Sequence, residues 1–248
     1  MSSNIRDVDG RSLADELRQT VRGKVSVDPV IRGIFSTDAS HYQMTPLCVV
    51  EPLDEADVAA ALHIATLAQV PITPRGAATA LSGQTFGRGI VLDVSRHLSR
   101  VLEVNADEGW AGVEPGVVRD QLNAELKSIG MHYAPDPATS SRATVGGMIG
   151  NNTSGTRSIV YGKTIDHTLA CRVALADGQI FELAECDQDA WQAKAVGPGR
   201  EADLYRGIQQ IVHANREEIV ARYPRVMRSV AGYNLDEFVD GAGCTAPV

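Results

Sequence analysis

Two glycine-containing segments of the chain have the residue types that bind phosphate groups. The first, residues 74–83, combines two glycines with hydroxyl side chains at Thr79 and Ser82, and Arg75 adds a positive charge. Glycine permits positive φ angles and a close approach of the backbone, so consecutive N–H groups can point at one anion. The segment therefore predicts a pyrophosphate-binding loop. A tight surface turn between two strands is the alternative.

The second segment, residues 143–155, carries a Gly146–Gly147 pair followed by compact polar side chains at residues 151–154. A helix that begins with two glycines can bring its N-terminus against a phosphate or a flat ring without an intervening side chain. Close helix packing through small residues is the alternative. Two such segments in one chain favour a nucleotide-type ligand more strongly than either segment does alone.

Other nucleotide-binding patterns are incomplete in this sequence. The strings Gly-x-Gly-x-x-Ala at residues 197–202 and 241–246 lack the strand and βαβ unit of a dinucleotide-binding fold. A phosphate-loop pattern at residues 162–164 fails because the position that must be glycine is Arg157. These absences disfavour doubly wound NAD folds and NTPases.

Alternating strands and helices are predicted around the first segment. The periodicity predicts a helix over residues 55–69, capped by Asp54, between extended pieces at residues 47–50 and 70–74. A further strand is predicted at residues 90–93. This order is that of a βαβ-like unit, which predicts a small, mostly parallel sheet.

Antiparallel strands are predicted around the second segment. Strands at residues 101–104 and 110–114 flank a turn, and Asp177–Gly178 predicts a type I′ turn in a second hairpin. The chain is therefore expected to be α+β. The remaining helices are predicted at residues 12–21, with Ser12 as N-cap, 117–128 and 201–222.

The composition narrows the class of protein. Acidic residues outnumber basic ones, 31 against 23, and the net charge of −8 argues against nucleic acid as a partner. The four cysteines form no disulfide or metal-binding pattern, so a reducing compartment is expected and no metal site is predicted. No N-terminal signal sequence is visible. We expect a cytoplasmic protein, and peripheral contact with the inner membrane stays open.

In their order along the chain, these features resemble the FAD-binding domain of the vanillyl-alcohol oxidase/PCMH flavoprotein superfamily. Residues 154–157 and 229–235 look most similar to its FAD-linked D-2-hydroxyacid dehydrogenases, which act on D-lactate, glycolate or D-2-hydroxyglutarate. The resemblance covers roughly residues 43–240. The stretches that carry it are residues 50–52, 71–83, 135–137, 144–149, 152–155, 161–162 and 173–178.

The resemblance implies a PCMH-type domain over residues 43–248, preceded by a helical lead-in over residues 1–42. Its first subdomain, residues 43–105, would hold a small parallel sheet, and its second, residues 106–240, a mainly antiparallel sheet, each with helices. FAD would lie between them and accept a hydride at N5 from a small 2-hydroxy acid. The implied cofactor-binding residues are Arg75, Gly76, Ala77, Ala78, Thr79, Ser82 and Gly83 at the pyrophosphate, and Pro137, Thr144, Val145, Gly146, Gly147, Asn152, Gly155 and Val173 along the rest of the cofactor.

Two departures from the family are informative. Members that bond FAD covalently through the first loop use a histidine there, whereas this chain has Ala77 and Ala78, so non-covalent FAD is expected. The family's catalytic cap domain follows the FAD domain, whereas this sequence stops at Val248, without the iron–sulfur region of the largest members. We expect the N-terminal part of a longer enzyme, which alone binds FAD weakly and does not turn over hydroxy acids.

No residue is assigned as catalytic, and the electron acceptor is unknown. His132 and His167 are the nearest candidates for a general base, with structural roles favoured for both. Two alternatives stay open. One is a different enzyme on the same fold, such as a cell-wall enolpyruvyl reductase or the flavin subunit of a molybdenum hydroxylase. The other is a non-catalytic FAD-carrying subunit whose cap is supplied by a partner chain.

Overall fold

A mixed four-stranded sheet organises the N-terminal part of the chain. In the computed structural model, which describes residues 8–228 and 232–239, its strands are Lys24–Ser26 (β1), Cys48–Glu51 (β2), Ile72–Arg75 (β3) and Ile90–Asp93 (β4). Their order is β1-β2-β4-β3. β2 and β3 both run parallel to the central β4, whereas β1 is antiparallel to β2 at the edge. The parallel arrangement expected from the βαβ-like pattern is therefore present, with one antiparallel strand added.

Helices Gly10–Thr20 (α1), Pro29–Ile34 (α2) and Glu55–Leu67 (α3) belong to this part of the chain. All four residues of β4 are buried, as expected for a parallel strand covered on both faces. Leu17 of α1 and Val25 of β1 share one apolar core with Cys48 and Ile64. Burial raises the pKa of the Cys48 thiol to about 11. The lead-in thus packs into the core of the first sheet, and the proposed division at residue 43 stays a prediction.

Aspartate side chains cap the N-termini of α1 and α3. The predicted cap of α3 is confirmed, because Asp54 Oδ1 accepts a hydrogen bond from the N–H of Asp57. Ser12 as the cap of α1 was wrong. The helix begins at Gly10 because the Asp9 carboxylate accepts from the N–H groups of Arg11 and Ser12. A side-chain acceptor just before the first turn satisfies donors that have no partner inside the helix.

Two antiparallel hairpins follow in place of one larger antiparallel sheet. Val101–Asn105 (β5) pairs with Trp110–Val113 (β6), and Ala170–Ala174 (β7) pairs with Ile180–Ala184 (β8). Each pair is a separate two-stranded sheet among the residues that the structure describes. In the turn of the first hairpin, Gly109 has a φ of 78° and a Cβ built on it would have no neighbour within 4 Å.

The predicted type I′ turn of the second hairpin was wrong. The N–H of Gly178 bonds to Leu175 O, and only Gly178, not Asp177, has a positive φ. This is a type I turn followed by a left-handed glycine, the usual three-residue hairpin connection. The tip rests on α3, since a Cβ on Gly178 would lie 2.6 Å from Ala59 O and Thr66 Oγ1 donates to Ala176 O.

The predicted helix over residues 201–222 is divided in two at Asn215. The side-chain amide of Asn215 donates to Ile211 O, which satisfies the end of the first half and competes with continuation of the helix. Within residues 8–228 and 232–239, no helix is long and apolar enough to span a bilayer. The remaining helices are Arg119–Leu126 (α4), Val145–Gly150 (α5), Ser158–Tyr161 (α6), Gln188–Ala195 (α7), Arg200–Ala214 (α8) and Arg216–Arg222 (α9), with short 3-10 turns at 127–129, 165–167 and 235–238.

Candidate functional site

The structure brings the two glycine-containing segments together. The α-carbon of Gly76 lies against Thr144, so closely that an added Cβ would be 2.2 Å from Thr144 Oγ1. A second link joins their far ends, where Gln84 Nε2 donates to Asn151 Oδ1 over 3.2 Å. The first loop, residues 76–83, and the second segment, residues 143–155, therefore lie side by side.

The first loop presents backbone donors that the protein leaves unused. Among the described residues, no N–H group from Gly76 to Gly83 has a protein acceptor. Ala78 and Gly83 adopt positive φ angles of 57° and 76°. A left-handed residue within a loop can turn neighbouring N–H groups toward one side, as in concave anion-binding loops. The first loop therefore has free N–H groups and left-handed residues, one of them the non-glycine Ala78, and its binding of a pyrophosphate stays a prediction.

Residues 38–42, at the end of the lead-in, pack against the first loop. The N–H of Ala39 donates to Ala78 O over 3.2 Å, and the ring of Tyr42 lies 3.1 Å from a Cβ built on Gly83. Thr85 Oγ1 bonds to the Asp38 carboxylate. Burial raises the pKa of Asp38, but the hydrogen bonds from Ser40 and Thr85 outweigh it and hold that pKa below its usual value. A charged Asp38 is therefore part of the support.

The Arg75 side chain is also part of this support. Its Nη1 donates to Thr37 O over 2.7 Å, and the guanidinium lies 4.8 Å from the centre of the Phe35 ring. Burial lowers the pKa of Arg75, while Asp93 and Asp38 act in the opposite direction. The guanidinium is thus held by carbonyl groups of the lead-in, and its predicted contact with a pyrophosphate stays a prediction.

The second segment differs because most of its donors already have partners. At the start of α5, Val145 donates to Val117 O over 2.8 Å and Gly146 donates to Pro115 O over 2.9 Å. A Cβ on Gly146 would lie 2.6 Å from Pro115 Cβ. The alternative of close packing through small residues therefore describes Gly146. Gly147 is exposed instead.

The loop that follows α5 is held by side chains. Asn152 has a φ of 42°, and its Oδ1 accepts from the N–H of Ile165. Gly155 lies against Asp136, where a Cβ would be 2.0 Å from Asp136 O, and its N–H donates to Ser158 Oγ. Asp136 also accepts from the N–H of Arg157 over 3.1 Å. The loop is thus fixed in shape, with Gly155 at its most crowded point.

Several residues that shape this surface were not assigned from the sequence, namely Gln84, Asp136 and Ser158. Asp136 lies between two prolines in a stretch that carried the family resemblance, so a role for Asp136 in the site could have been predicted from the sequence. Gln84 and Ser158 act through contacts between segments distant in sequence, and nothing in their local pattern indicates this.

The described contacts of Pro137, Val173 and the two candidate histidines are with residues outside the first loop. Pro137 begins a turn in which its carbonyl accepts from Ser140. Val173 lies in β7 opposite Phe181, and β7 contacts mainly β8 and α3. His167 Nε2 lies 2.6 Å from Tyr161 O, and the His132 ring meets the Tyr161 ring edge-on. Both histidines therefore have structural contacts.

An elongated diphosphate-containing cofactor fits this surface. The unused N–H groups of the first loop supply donors for a pyrophosphate, and the adjoining second segment offers a fixed surface for the rest of the molecule. Within the described parts of the chain, no three His, Cys, Asp or Glu side chains cluster as metal ligands.

Comparison with known proteins agrees with this geometry. Residues 46–184 match the family described as FAD binding domain. D-2-hydroxyglutarate dehydrogenase of Pseudomonas putida is 41% identical over 228 residues, which cover 90% of this chain and 22% of that protein. Glycolate oxidase subunit GlcD of Bacillus subtilis is 36% identical, covering 86% of this chain and 45% of that protein.

Comparison with solved structures supports the fold class. The solved structure of alkyldihydroxyacetonephosphate synthase superposes with a TM-score of 0.64 at 20% identity, covering 81% of this chain and 39% of that one. The predicted α+β class, with a small parallel-containing sheet and antiparallel strands, is confirmed. The chain spans less than a quarter of the Pseudomonas putida relative. Because the family model covers more than half of the chain and the surface fits its ligand, this chain belongs to the FAD-binding domain family, and FAD is its cofactor.

Proposed function

We propose that the chain is the FAD-holding part of a flavin-dependent oxidoreductase that oxidises a D-2-hydroxy acid, namely D-lactate, glycolate or D-2-hydroxyglutarate. The observation that carries the cofactor part is the run of unused N–H groups from Gly76 to Gly83 beside the second segment. The substrate class is supported by relatives named D-2-hydroxyglutarate dehydrogenase and glycolate oxidase subunit. We also propose a cytoplasmic location.

In this proposal, one group of residues donates hydrogen bonds to FAD and a second group lines the space that FAD occupies. Gly76 to Thr79 with Ser82 and Gly83 bind the pyrophosphate through backbone N–H groups and hydroxyls. Thr144, Gly147 and the loop from Asn152 to Gly155 line the path toward the flavin ring. FAD, when bound, supplies the hydride acceptor, while this chain holds and orients it.

Binding is proposed to be non-covalent. The side chains from Gly76 to Gly83 include no histidine, cysteine or tyrosine that could be bonded to the flavin. Acid precipitation of the FAD-loaded protein should release all yellow colour into the supernatant. Colour that stays in the pellet would contradict this part of the proposal.

The cofactor site is tested by placing a negative charge in the first loop. Ala77 is exposed, so Ala77→Asp should leave the thermal unfolding temperature unchanged. The carboxylate would repel the pyrophosphate, and we expect FAD binding about 100-fold weaker by fluorescence titration. Ala77→Ser is the matched control and should bind FAD as the wild-type protein does. Equal affinity of Ala77→Asp would place the pyrophosphate elsewhere.

The substrate class is tested with the polypeptide as the gene encodes it. Anaerobic mixing of the FAD-loaded enzyme with D-2-hydroxyglutarate, glycolate or D-lactate should bleach the visible flavin band. The L-enantiomers of the chiral acids are the control and should bleach it far more slowly. No bleaching by any of the three acids would contradict the substrate class and leave FAD binding untouched.

A second candidate is an FAD-carrying subunit that requires a partner chain for catalysis. It is favoured by the relative from Bacillus subtilis, which is named as a subunit. Under this proposal, copurification of the tagged protein at its natural expression level should recover a stoichiometric second polypeptide. Activity of the purified polypeptide by itself would exclude it.

A further inference from the structure

The chain that follows α9 returns to the loop after α5. Arg228 Nη2 donates a hydrogen bond to Gly155 O over 2.7 Å. Farther along, Asn234 lines a cavity of about 60 Å³ together with Asn152, Thr164 and Thr168. Gly155 and Asn152 both belong to the loop that is proposed to line the flavin path. The family match, by contrast, ends at residue 184.

Gly155 is the place where these contacts converge. Its N–H is fixed by Ser158 Oγ, and its α-carbon lies against Asp136 with no room for a side chain. The carbonyl accepts hydrogen bonds from the N–H of Ser158 and from Arg228, so the peptide groups on both sides of Gly155 are held. A charged donor makes a stronger hydrogen bond than a neutral one. Of the hydrogen bonds that Gly155 makes with Ser158 and Arg228, the one from Arg228 has the charged donor.

The Arg228 guanidinium has little else to hold it. Its side chain is exposed, and among the described residues it forms no ion pair. Replacing it thus removes the bond to Gly155 without leaving a buried carboxylate unpaired. A substitution of Arg228 therefore removes one hydrogen bond to the loop and disturbs few other contacts.

We infer that Arg228 is a positioning residue of the FAD site, which fixes the loop from Asn152 to Arg157 through the Gly155 carbonyl. Asn234, farther along the same C-terminal segment, lines the cavity beside Asn152. The inference rests on the proposed function, and it extends the cofactor site beyond the part of the chain that matches the family. Arg228 acts on the flavin through the loop, so its loss changes affinity and spectrum while the rest of the fold is retained.

The test compares Arg228→Ala with Arg225→Ala in the full polypeptide. Arg225 is exposed three residues earlier and has no side-chain partner in the described structure. We expect Arg228→Ala to raise the dissociation constant for FAD about tenfold and to shift the visible flavin band. Arg228→Lys keeps one charged donor and should recover part of the affinity. Unfolding temperatures of both alanine variants without FAD should agree.

Equal FAD affinity and an unchanged spectrum in Arg228→Ala and Arg225→Ala would overturn the inference. If Arg228→Ala does not fold, Arg228→Met replaces it, because Met keeps most of the side-chain length and has no donor for the Gly155 carbonyl. Wild-type affinity and spectrum in Arg228→Met would overturn the inference equally. A raised KM for the hydroxy acid with unchanged FAD affinity would assign Arg228 to the substrate instead. Failure of the wild-type protein to bind FAD would reject the proposed function and this inference together.

Discussion

The two glycine-containing segments use similar residues in opposite ways. Within the part of the chain that the structure describes, the N–H groups from Gly76 to Gly83 have no acceptor. The N–H groups of Val145 and Gly146, by contrast, donate to the carbonyls of Val117 and Pro115. The first segment therefore offers donors to a ligand, and the second offers a rigid shape. Glycine enrichment alone does not distinguish the two uses, because one follows from backbone freedom and the other from the absence of a Cβ.

Among the substitutions that test this difference between the segments, the largest loss of stability is expected at Gly146. In Gly146→Val the new side chain meets Pro115, whose Cβ would be 2.6 Å from the added Cβ, so we expect the free energy of unfolding to fall by about 3 kcal/mol. Gly150→Ala in the same helix is the control, because no atom lies within 4 Å of the new Cβ. Urea unfolding without FAD measures both. Equal stability of the two variants would show that Gly146 is not a packing position.

The contact between the segments is tested by a double-mutant cycle. Gly76→Ala places a Cβ 2.2 Å from Thr144 Oγ1 and should lower the free energy of unfolding by about 2 kcal/mol. In a Thr144→Ala background the clashing oxygen is absent, so about 1 kcal/mol or more of that cost should disappear. The cycle is measured by urea unfolding. Strict additivity of the two substitutions would mean that the segments are not coupled through this contact.

A smaller, pH-dependent effect concerns the support of the second segment. Burial raises the pKa of Glu114, but the hydrogen bonds from Arg100 outweigh it and hold that pKa below its ordinary value. Glu114 precedes Pro115, on which α5 rests. A lowered folded-state pKa stabilises the protein above the unfolded-state pKa of about 4.3, and this stability is lost as the pH falls through the folded-state pKa.

Glu114→Gln should therefore lower the free energy of unfolding by about 1 kcal/mol at pH 7, and the difference from the wild-type protein should shrink as the pH falls below about 4. Glu103→Gln in β5 is the control, since Glu103 is exposed. Thermal unfolding across this pH range measures the difference. A difference that stays constant down to pH 3 would show that ionisation of Glu114 is not its source.

The smallest effect is expected in the first loop itself. Ala78 has a φ of 57°, which costs a residue with a Cβ about 1–2 kcal/mol, whereas glycine there gains freedom in the unfolded chain. The two effects oppose each other, and Ala78→Gly should change the free energy of unfolding by less than about 1 kcal/mol. FAD affinity should stay within about threefold, which is less than 1 kcal/mol. A larger loss of affinity would show that the Ala78 side chain itself contacts the cofactor.

The sequence predicted the elements whose pattern is long or strongly apolar. The helix after Asp54 and the strand at residues 90–93 appear where they were expected, because periodicity and burial agree there. β1 was missed because it has only three residues and exists through pairing with β2. Three residues are too few to show an alternation of apolar and polar side chains, and the partner strand is distant in the sequence.

The candidate site was predictable in its residue types and less so in its partners. The loop at residues 76–83 was predicted to bind a pyrophosphate from its glycines and hydroxyls. The structure shows its N–H groups without acceptors among the described residues, and the binding itself stays a prediction. The fixed positions of Arg75 and Gly155 depend on Thr37, Asp136 and Arg228, which are remote in sequence. The predicted family stretch at residues 229–235 lies partly outside the described residues.

The contact between the second hairpin and α3 has a consequence for protein engineering. From sequence, the Asp177–Gly178 turn looks like a free surface tip that would accept an inserted tag or a fluorescent domain. Yet Gly178 lies against the Ala59 carbonyl, so an insertion there would separate the hairpin from α3. The turn at Asn105–Gly109 has no such neighbour at Gly109 and is the suitable place for an insertion or for new chain termini after circular permutation.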